Sequence, residues 1–465
     1  MKQKANRNKG GKGMSDLVKL SVEEMTGLDY NCSCGRTHKV EIDNIKVGNG
    51  VIDKLPDVIN DYIGKRVFII EDTHTFEVAG KKVEELLKDE FKISRHVFNN
   101  KHLIPNETAL GRLIMEIPKD TELVVAVGSG TINDISRFLS YKIGVPYVIV
   151  GTAPSMDGYA SVVSPLVCDN VKVTFDAIYP MAIIGDIDIM KNAPMQMLQA
   201  GLGDILGKYT ALADWNIAKI LNNEYFCSEV ESLVMSSLKE VEKAASGLTS
   251  RKDETIKNIT NALILSGIAI GMVGASRPAS GGEHQLSHCY EMIFMNRGGD
   301  EKWLHGNTVG VGVGAVAYAF EYAKKLDINE IIEKEEYLKL DKDKWLQNIK
   351  DVYTKSAENI IQFKQDSINF EVHQRKAQMD KIAKKWDAIK NICTENVPEP
   401  EDIIGTLKKC GAVWNPKDID IDREMFIKSF IAAKDMRKRY GIFQLLEDMG
   451  KLDDAANYIA DIYYN

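Results

Sequence analysis

The chain has 465 residues, enough for two to three domains, and 44% are apolar against 27% charged, a balance that excludes a disordered or fibrous protein. Acidic residues outnumber basic ones 67 to 59, a net charge of −8, so a nucleic-acid-binding surface, which needs a basic excess, is not expected. With no apolar run of about 18 residues no membrane span is expected, and seven scattered cysteines fit a reducing cytoplasm better than a disulfide framework.

In chain order, residues 1–20 read as a tail: Met1 to Asp16 is basic and Gly-rich and lacks the apolar stretch of a secretory signal. Cys32-Ser-Cys34-Gly35-Arg-Thr-His38 offers three soft ligands at an unusual spacing. A zinc site and a structural or redox-labile turn both stay open there. Short apolar runs then alternate with amphipathic stretches: strands at Arg66–Glu71, Ile93–Phe98, Leu123–Val127 and Tyr147–Val150, and helices at 76–88, 107–117 and 131–141. That alternation predicts βαβ units, and strands without polar alternation predict a parallel sheet covered on both faces. Eight of the twelve prolines precede residue 195, and helical periodicity dominates after it. Long helices are expected at 195–221 and 228–245, and exposed charged ones over 329–390. The predicted organisation is an α/β domain over 21–193 and an all-helical domain over 194–465.

Two sets of residues carry chemistry. The 123–127 strand runs into Gly128-Ser129-Gly130-Thr131-Ile132 and a helix, where small residues admit a pyrophosphate to the helix N-terminus; a plain tight turn is the alternative, since the full G-x-G-x-x-G spacing is absent. Asp72, ending the 66–71 strand, suits a ribose hydroxyl or a helix N-cap. The loop Thr152-Ala153-Pro154-Ser155 leads to Asp157 and can line a phosphate or nicotinamide pocket, or be an ordinary loop. The second set is His284 and His288, one helical turn apart, with His305 following. Gln285 stands where a zincin carries its glutamate. With Asp204 these histidines offer an open Asp/His/His set for a catalytic divalent metal, unless they are unrelated polar residues. Cys289 adjoins His288, but neighbours on a helix point apart.

In order, Gly128-Ser-Gly130-Thr-Ile-Asn-Asp134, Thr152-Ala-Pro-Ser155-Met-Asp157-Gly-Tyr-Ala-Ser161, Gly203-Asp204-Ile-Leu-Gly-Lys208, Ser276-Arg-Pro-Ala-Ser280-Gly-Gly-Glu-His284-Gln-Leu-Ser-His288 and His305-Gly306 resemble the glycerol-1-phosphate dehydrogenases. These sit in the superfamily of metal-dependent alcohol dehydrogenases, glycerol dehydrogenases and dehydroquinate synthases. The resemblance runs from about residue 40 to 320 and resumes at Arg439, and Cys32–His38 is similar to the start of bacterial members. It implies a dehydroquinate synthase-like fold: a Rossmann-like parallel-sheet domain followed by an all-α domain.

The resemblance also implies roles. Asp72, Gly128, Ser129, Gly130, Thr131, Ile132, Thr152, Ala153, Pro154, Ser155 and Ser161 would contact NAD(H) or NADP(H). Asp204, His284 and His305 would hold one zinc, nickel or iron ion. Asp157, Asp204 and His288 would meet substrate, with Asp204 and His288 catalytic. The implied reaction reversibly reduces dihydroxyacetone phosphate to sn-glycerol 1-phosphate for phospholipid synthesis, in a cytoplasmic homo-oligomer, a dimer or larger. A substrate phosphate needs a cation, and Arg277 and Lys208 are at hand; a salt bridge to Glu283 or another acid is the other reading of Arg277. Ser129 departs from the glycine of many relatives, and 330–430 matches less well. A dehydrogenase of unphosphorylated glycerol, a carbocycle-forming synthase and a non-catalytic nucleotide- or metal-binding protein are the alternatives.

Overall fold

The computed structural model describes residues 16–60, 65–99, 103–168, 171–298, 302–368 and 370–465. Residues 1–15, most of the expected tail, lie outside them. Ten strands occur among the described residues: β1 (Asp29–Asn31), β2 (Thr37–Lys39), β3 (Asn44–Gly48), β4 (Arg66–Asp72), β5 (Lys92–Phe98), β6 (Leu123–Gly128), β7 (Tyr147–Gly151), β8 (Val163–Cys168), β9 (Val171–Asp176) and β10 (Ala182–Asp186). Six form one sheet in the order β3-β10-β7-β6-β4-β5, and every pairing in it is parallel. The unbroken apolar runs explain this, because every residue of β6, β7 and β10 is buried. Val67, Ile69, Val125, Val127, Val148, Val150 and Ile184 line one face of the core, against Val83 and Leu87. The pairs β1–β2 and β8–β9 are separate antiparallel hairpins.

The helix expected over 76–88 opens with a short turn at Thr73–Thr75, widens into a π segment at Phe76–Gly80 and closes as an α-helix at Lys81–Leu87. Gly80 lies against the end of β4, where a Cβ would come 1.9 Å from the Glu71 carboxylate. Glu71 is wholly buried, and neither carboxylate oxygen finds a hydrogen-bond partner. Burial, helped by the negative charge of Glu84, pushes its pKa up to about 7.

The expected long helix at 195–221 is two helices, Met195–Leu206 and Lys208–Asn222, interrupted at Gly207, a residue that weakens helix continuity. The chain forms two compact units, and each is built from two stretches. One comprises residues 1–205 and 227–276, the other 206–226 and 277–465. The helices Ser228–Ala244 and Asp253–Val273 therefore belong with the sheet. Asp253–Val273 is long and apolar enough to cross a membrane, yet 78% of its most apolar window is buried, as in the core helix of a globular fold.

In the second unit, helix Gly282–Asn296 packs on helix His305–Lys324, so closely that a Cβ at Gly312 would stand 2.7 Å from the Glu283 carbonyl oxygen. The start of Gly282–Asn296 is held by the buried Asp214 of helix Lys208–Asn222. Its carboxylate accepts from Gly282 N at 2.8 Å and from Ile442 N at 2.7 Å. Burial and the neighbouring Glu283 charge raise the Asp214 pKa to about 7.

Candidate active site

In the sheet-bearing unit, β4 pairs with β5 on one side and β6 on the other, so chain order reverses between β4 and β6. Ligands of open parallel sheets sit beyond the carboxyl ends of strands at such a point. There β4 ends in Asp72 and β6 in Gly128. Gly128 is required by space: a Cβ would lie 2.6 Å from Ile132. Ser129 precedes helix Gly130–Ile143, whose first-turn amides at Gly130, Thr131 and Ile132 face the strand end and carry the positive end of the dipole. Asp72 caps Thr73–Thr75 through one oxygen only, Oδ1, which accepts from His74 N at 2.8 Å and Thr75 N at 2.9 Å. The N-cap reading of Asp72 is thus realised, and Oδ2 is left to a further role.

The 152–161 loop leaves β7 beside this turn, tied by Thr152 N to the Gly128 carbonyl at 3.0 Å. Thr152, Ala153, Pro154, Ser155 and Ser161 are buried. The loop is pinned by the wholly buried Arg137, which donates to the carbonyls of Gly158 and Val163 and to Asp134. Gly201 lets helix Met195–Leu206 approach the Pro154 carbonyl. That helix presents Asp204, fully buried, whose Oδ2 accepts from Asp157 N at 3.0 Å. Asp157 in turn accepts from Ser266 Oγ at 2.8 Å. The structure therefore brings Asp157 and Asp204 together beside the nucleotide-type loop.

In the helical unit, His284, His288 and His305 converge, with ring centroids 5.1–6.2 Å apart. Each ring is oriented through Nδ1 by a carboxylate: His284 by Glu283 at 2.8 Å, His288 by Glu291 at 3.0 Å, and His305 by Glu291 at 2.6 Å. This fixes the tautomer and presents Nε2 as the ligand or proton-carrying atom, the arrangement in which carboxylates orient metal-binding histidines. Glu283 is itself fixed by Thr210 Oγ1 at 2.5 Å and Gly281 N at 2.7 Å. The donor set thus fits a first-row divalent ion. Sequence reasoning read Glu283 only as a partner for Arg277 and missed Glu291, although Glu291 lies three residues past His288 on the same helical face.

The two proposed phosphate cations stand differently. Arg277 is buried in a two-pronged ion pair with Glu224, Nε–Oε1 2.6 Å and Nη2–Oε2 2.5 Å, and its Nη1 donates to the Tyr440 carbonyl at 2.8 Å. This is the salt-bridge reading, with Glu224 as partner because Glu283 is already committed. Lys208 is buried with its ammonium on the Ala279 carbonyl at 3.0 Å. A cation the sequence reading passed over is Arg437. Burial lowers its pKa while the charge of Glu291, the residue orienting His288 and His305, acts in the other direction. Arg439 is pushed down to about 10 by burial and by the positive charges of Arg277 and Arg437. The positive charges of Arg277 and Arg437 thus act on Arg439, and Arg437 feels the charge of the histidine-orienting Glu291.

The iron-containing alcohol dehydrogenase family matches residues 46–194, the sheet and its loops. In structure the chain is similar to a glycerol dehydrogenase from Schizosaccharomyces pombe, with a TM-score of 0.60, 14% identity and 90% of each chain covered. In sequence it is similar to a glycerol-1-phosphate dehydrogenase [NAD(P)+] of Halalkalibacterium halodurans, 38% identical over 64% of this chain and 76% of the relative. It is likewise similar to one of Geobacillus thermodenitrificans, 30% identical over 90% of this chain and 95% of the relative. The chain belongs to the glycerol-1-phosphate dehydrogenase family.

Proposed function

We infer that this protein is an NAD(P)H- and metal-dependent oxidoreductase that reversibly reduces dihydroxyacetone phosphate to sn-glycerol 1-phosphate. The observation that carries this reading is the similarity, across most of their length, to relatives named for that activity. Arg437, a half-buried cation that feels the charge of the histidine-orienting Glu291, supports a phosphorylated substrate over plain glycerol, because a guanidinium suits a phosphate.

Gly128 to Ile132, Thr152 to Ser155 and Ser161 would hold the nucleotide, and Asp72 Oδ2 would accept from a ribose hydroxyl. On the family resemblance, Asp204, His284 and His305 would hold the divalent metal. When bound, the metal supplies Lewis acidity toward the substrate oxygen and the nicotinamide supplies hydride exchange. Asp157 and Asp204 orient the substrate hydroxyls. His288, anchored at Nδ1 on Glu291, moves the proton through Nε2. Arg437, rather than Arg277, takes the phosphate.

The exposed apolar Ile114, Met115, Tyr141 and Ile143 on two helices of the sheet-bearing unit support a homo-oligomer, and the family resemblance supports a cytoplasmic one. The deciding assay compares dihydroxyacetone phosphate with NADH against glycerol with NAD. Turnover of the phosphorylated pair alone is expected, and a preference for glycerol would overturn the reading.

A further inference from the structure

The Cys32–His38 segment offered three ligands, and the fold supplies a fourth. Cys227, 195 residues beyond Cys32 in sequence, places its Sγ 3.5 Å from Cys32 Sγ and 3.4 Å from His38 Nε2. Cys34 Sγ lies 3.5 Å from the same Nε2. The four ligand atoms all lie within 4.8 Å of one another; Cys32, His38 and Cys227 are buried and Cys34 is half-buried. Ligands around tetrahedral zinc, with Zn–S of about 2.3 Å and Zn–N of about 2.0 Å, stand roughly 3.5–3.8 Å apart. The three separations above fall at that edge length.

The histidine is set for the task. His38 Nδ1 meets the Met272 carbonyl at 2.7 Å; a carbonyl only accepts, so Nδ1 carries the proton and Nε2 turns its lone pair toward the sulfurs. The cysteines are supported as well. Cys34 N–H donates to Cys32 Sγ at 3.4 Å across a turn in which Gly35 takes a positive φ of 85°, and Cys227 stands at the N-cap of helix Ser228–Ala244. All of these residues belong to the sheet-bearing unit.

We propose that Cys32, Cys34, His38 and Cys227 form a closed, structural Cys3His zinc site, separate from the catalytic metal. Binding releases the three thiol protons to solvent and leaves Zn²⁺ with three thiolates and one neutral imidazole. With four protein ligands no position remains for substrate, so the role is architectural. The strands β1 and β2 have three residues each, and a lone hairpin of that size is marginal in water. The ion fastens this hairpin to the start of Ser228–Ala244 and, through His38, to the end of Asp253–Val273. Hydrogen bonds to Glu229 from Tyr30 Oη at 2.5 Å and Ser33 Oγ at 2.6 Å run alongside.

Cobalt substitution of the full-length protein tests this, because only a sulfur-ligated ion gives thiolate-to-cobalt charge-transfer absorption and an Asp/His/His site cannot. The expected result is that band in the wild type, its loss or marked weakening in Cys34→Ala and in Cys227→Ala, and its retention in His284→Ala. Zinc content should fall by one equivalent per chain in each cysteine variant. The wild-type spectrum keeps the test decisive even where a variant fails to fold. Metal-loaded wild type lacking the charge-transfer band, or a Cys32–Cys227 disulfide found by mass spectrometry in protein purified under reducing conditions, would overturn the site.

Discussion

Glu71 gives a measurable consequence of burying a carboxyl group without partners. The unfolded chain releases this proton near pH 4.5, whereas the folded chain holds it to about 7. Between those values the folded state binds the extra proton, so its stability falls as pH rises. At about 1.4 kcal/mol per pH unit, the fall amounts to about 3 kcal/mol, all of it present by pH 8. Glu71→Gln keeps the shape and removes the titration. Urea unfolding of wild type and variant at pH 5 and pH 8 should therefore show the variant gaining about 2.5 kcal/mol relative to wild type between the two. Asp214 and Asp448, buried and raised to about 7 and about 6, titrate in the same direction, so the comparison must be between the two proteins and not between two pH values of one. A wild-type-to-variant difference that stays constant from pH 5 to pH 8 refutes the reasoning.

The site yields four further expectations. His284→Ala and His305→Ala should each lose one equivalent of divalent metal by elemental analysis, while His288→Ala keeps its metal and loses turnover; full metal content in a folded His284 variant removes that ligand from the set. Asp72→Asn preserves the N-cap, since Asn caps as well as Asp, but removes the charge that repels a 2′-phosphate. Its kcat/KM ratio should shift toward NADPH, and an unmoved ratio means the ribose is bound elsewhere. Arg437→Ala should raise KM for dihydroxyacetone phosphate about tenfold or more, as expected for losing a charged hydrogen bond worth roughly 1.5–3 kcal/mol, and leave any slow turnover of unphosphorylated dihydroxyacetone unchanged. Arg277→Ala, which strips a partner from Glu224, should instead lower thermal stability and impair both substrates alike; a KM effect confined to the phosphorylated substrate returns Arg277 to the phosphate site.

The central strands were legible because burial on both faces writes itself as consecutive apolar residues: β4, β6 and β7 fall where those runs predict them. The edge strand β3 was not, since its residues alternate between buried and half-buried, and β10 is five residues directly after a proline-bearing loop. The π segment at 76–80 follows from the close approach of Gly80 to Glu71, a tertiary contact with no periodic signature. At the site, the histidine pair was visible as a helical spacing and the glycine turn as a strand end. The partners that orient them were not: Glu283 draws its role from Thr210 and Gly281, and Arg277 found Glu224 through folding rather than proximity in sequence. Cys227 is the sharpest case, because 189 residues separate it from His38 and no motif joins them.

The interleaving of the two units bears on how such a protein can be cut or recombined. The chain passes from one unit to the other at 205/206, returns at 226/227 and leaves again at 276/277. A single crossover between two related genes therefore splits at least one unit between parents, whichever point is chosen. Chimeras that exchange the sheet-bearing unit as a cassette need all three junctions matched; one proteolytic nick at 226/227 divides both units, and one at 205/206 or 276/277 divides one of them. If Asp72 binds the ribose as proposed, cofactor preference in such a scaffold changes by point substitution there, without exchange of a whole unit.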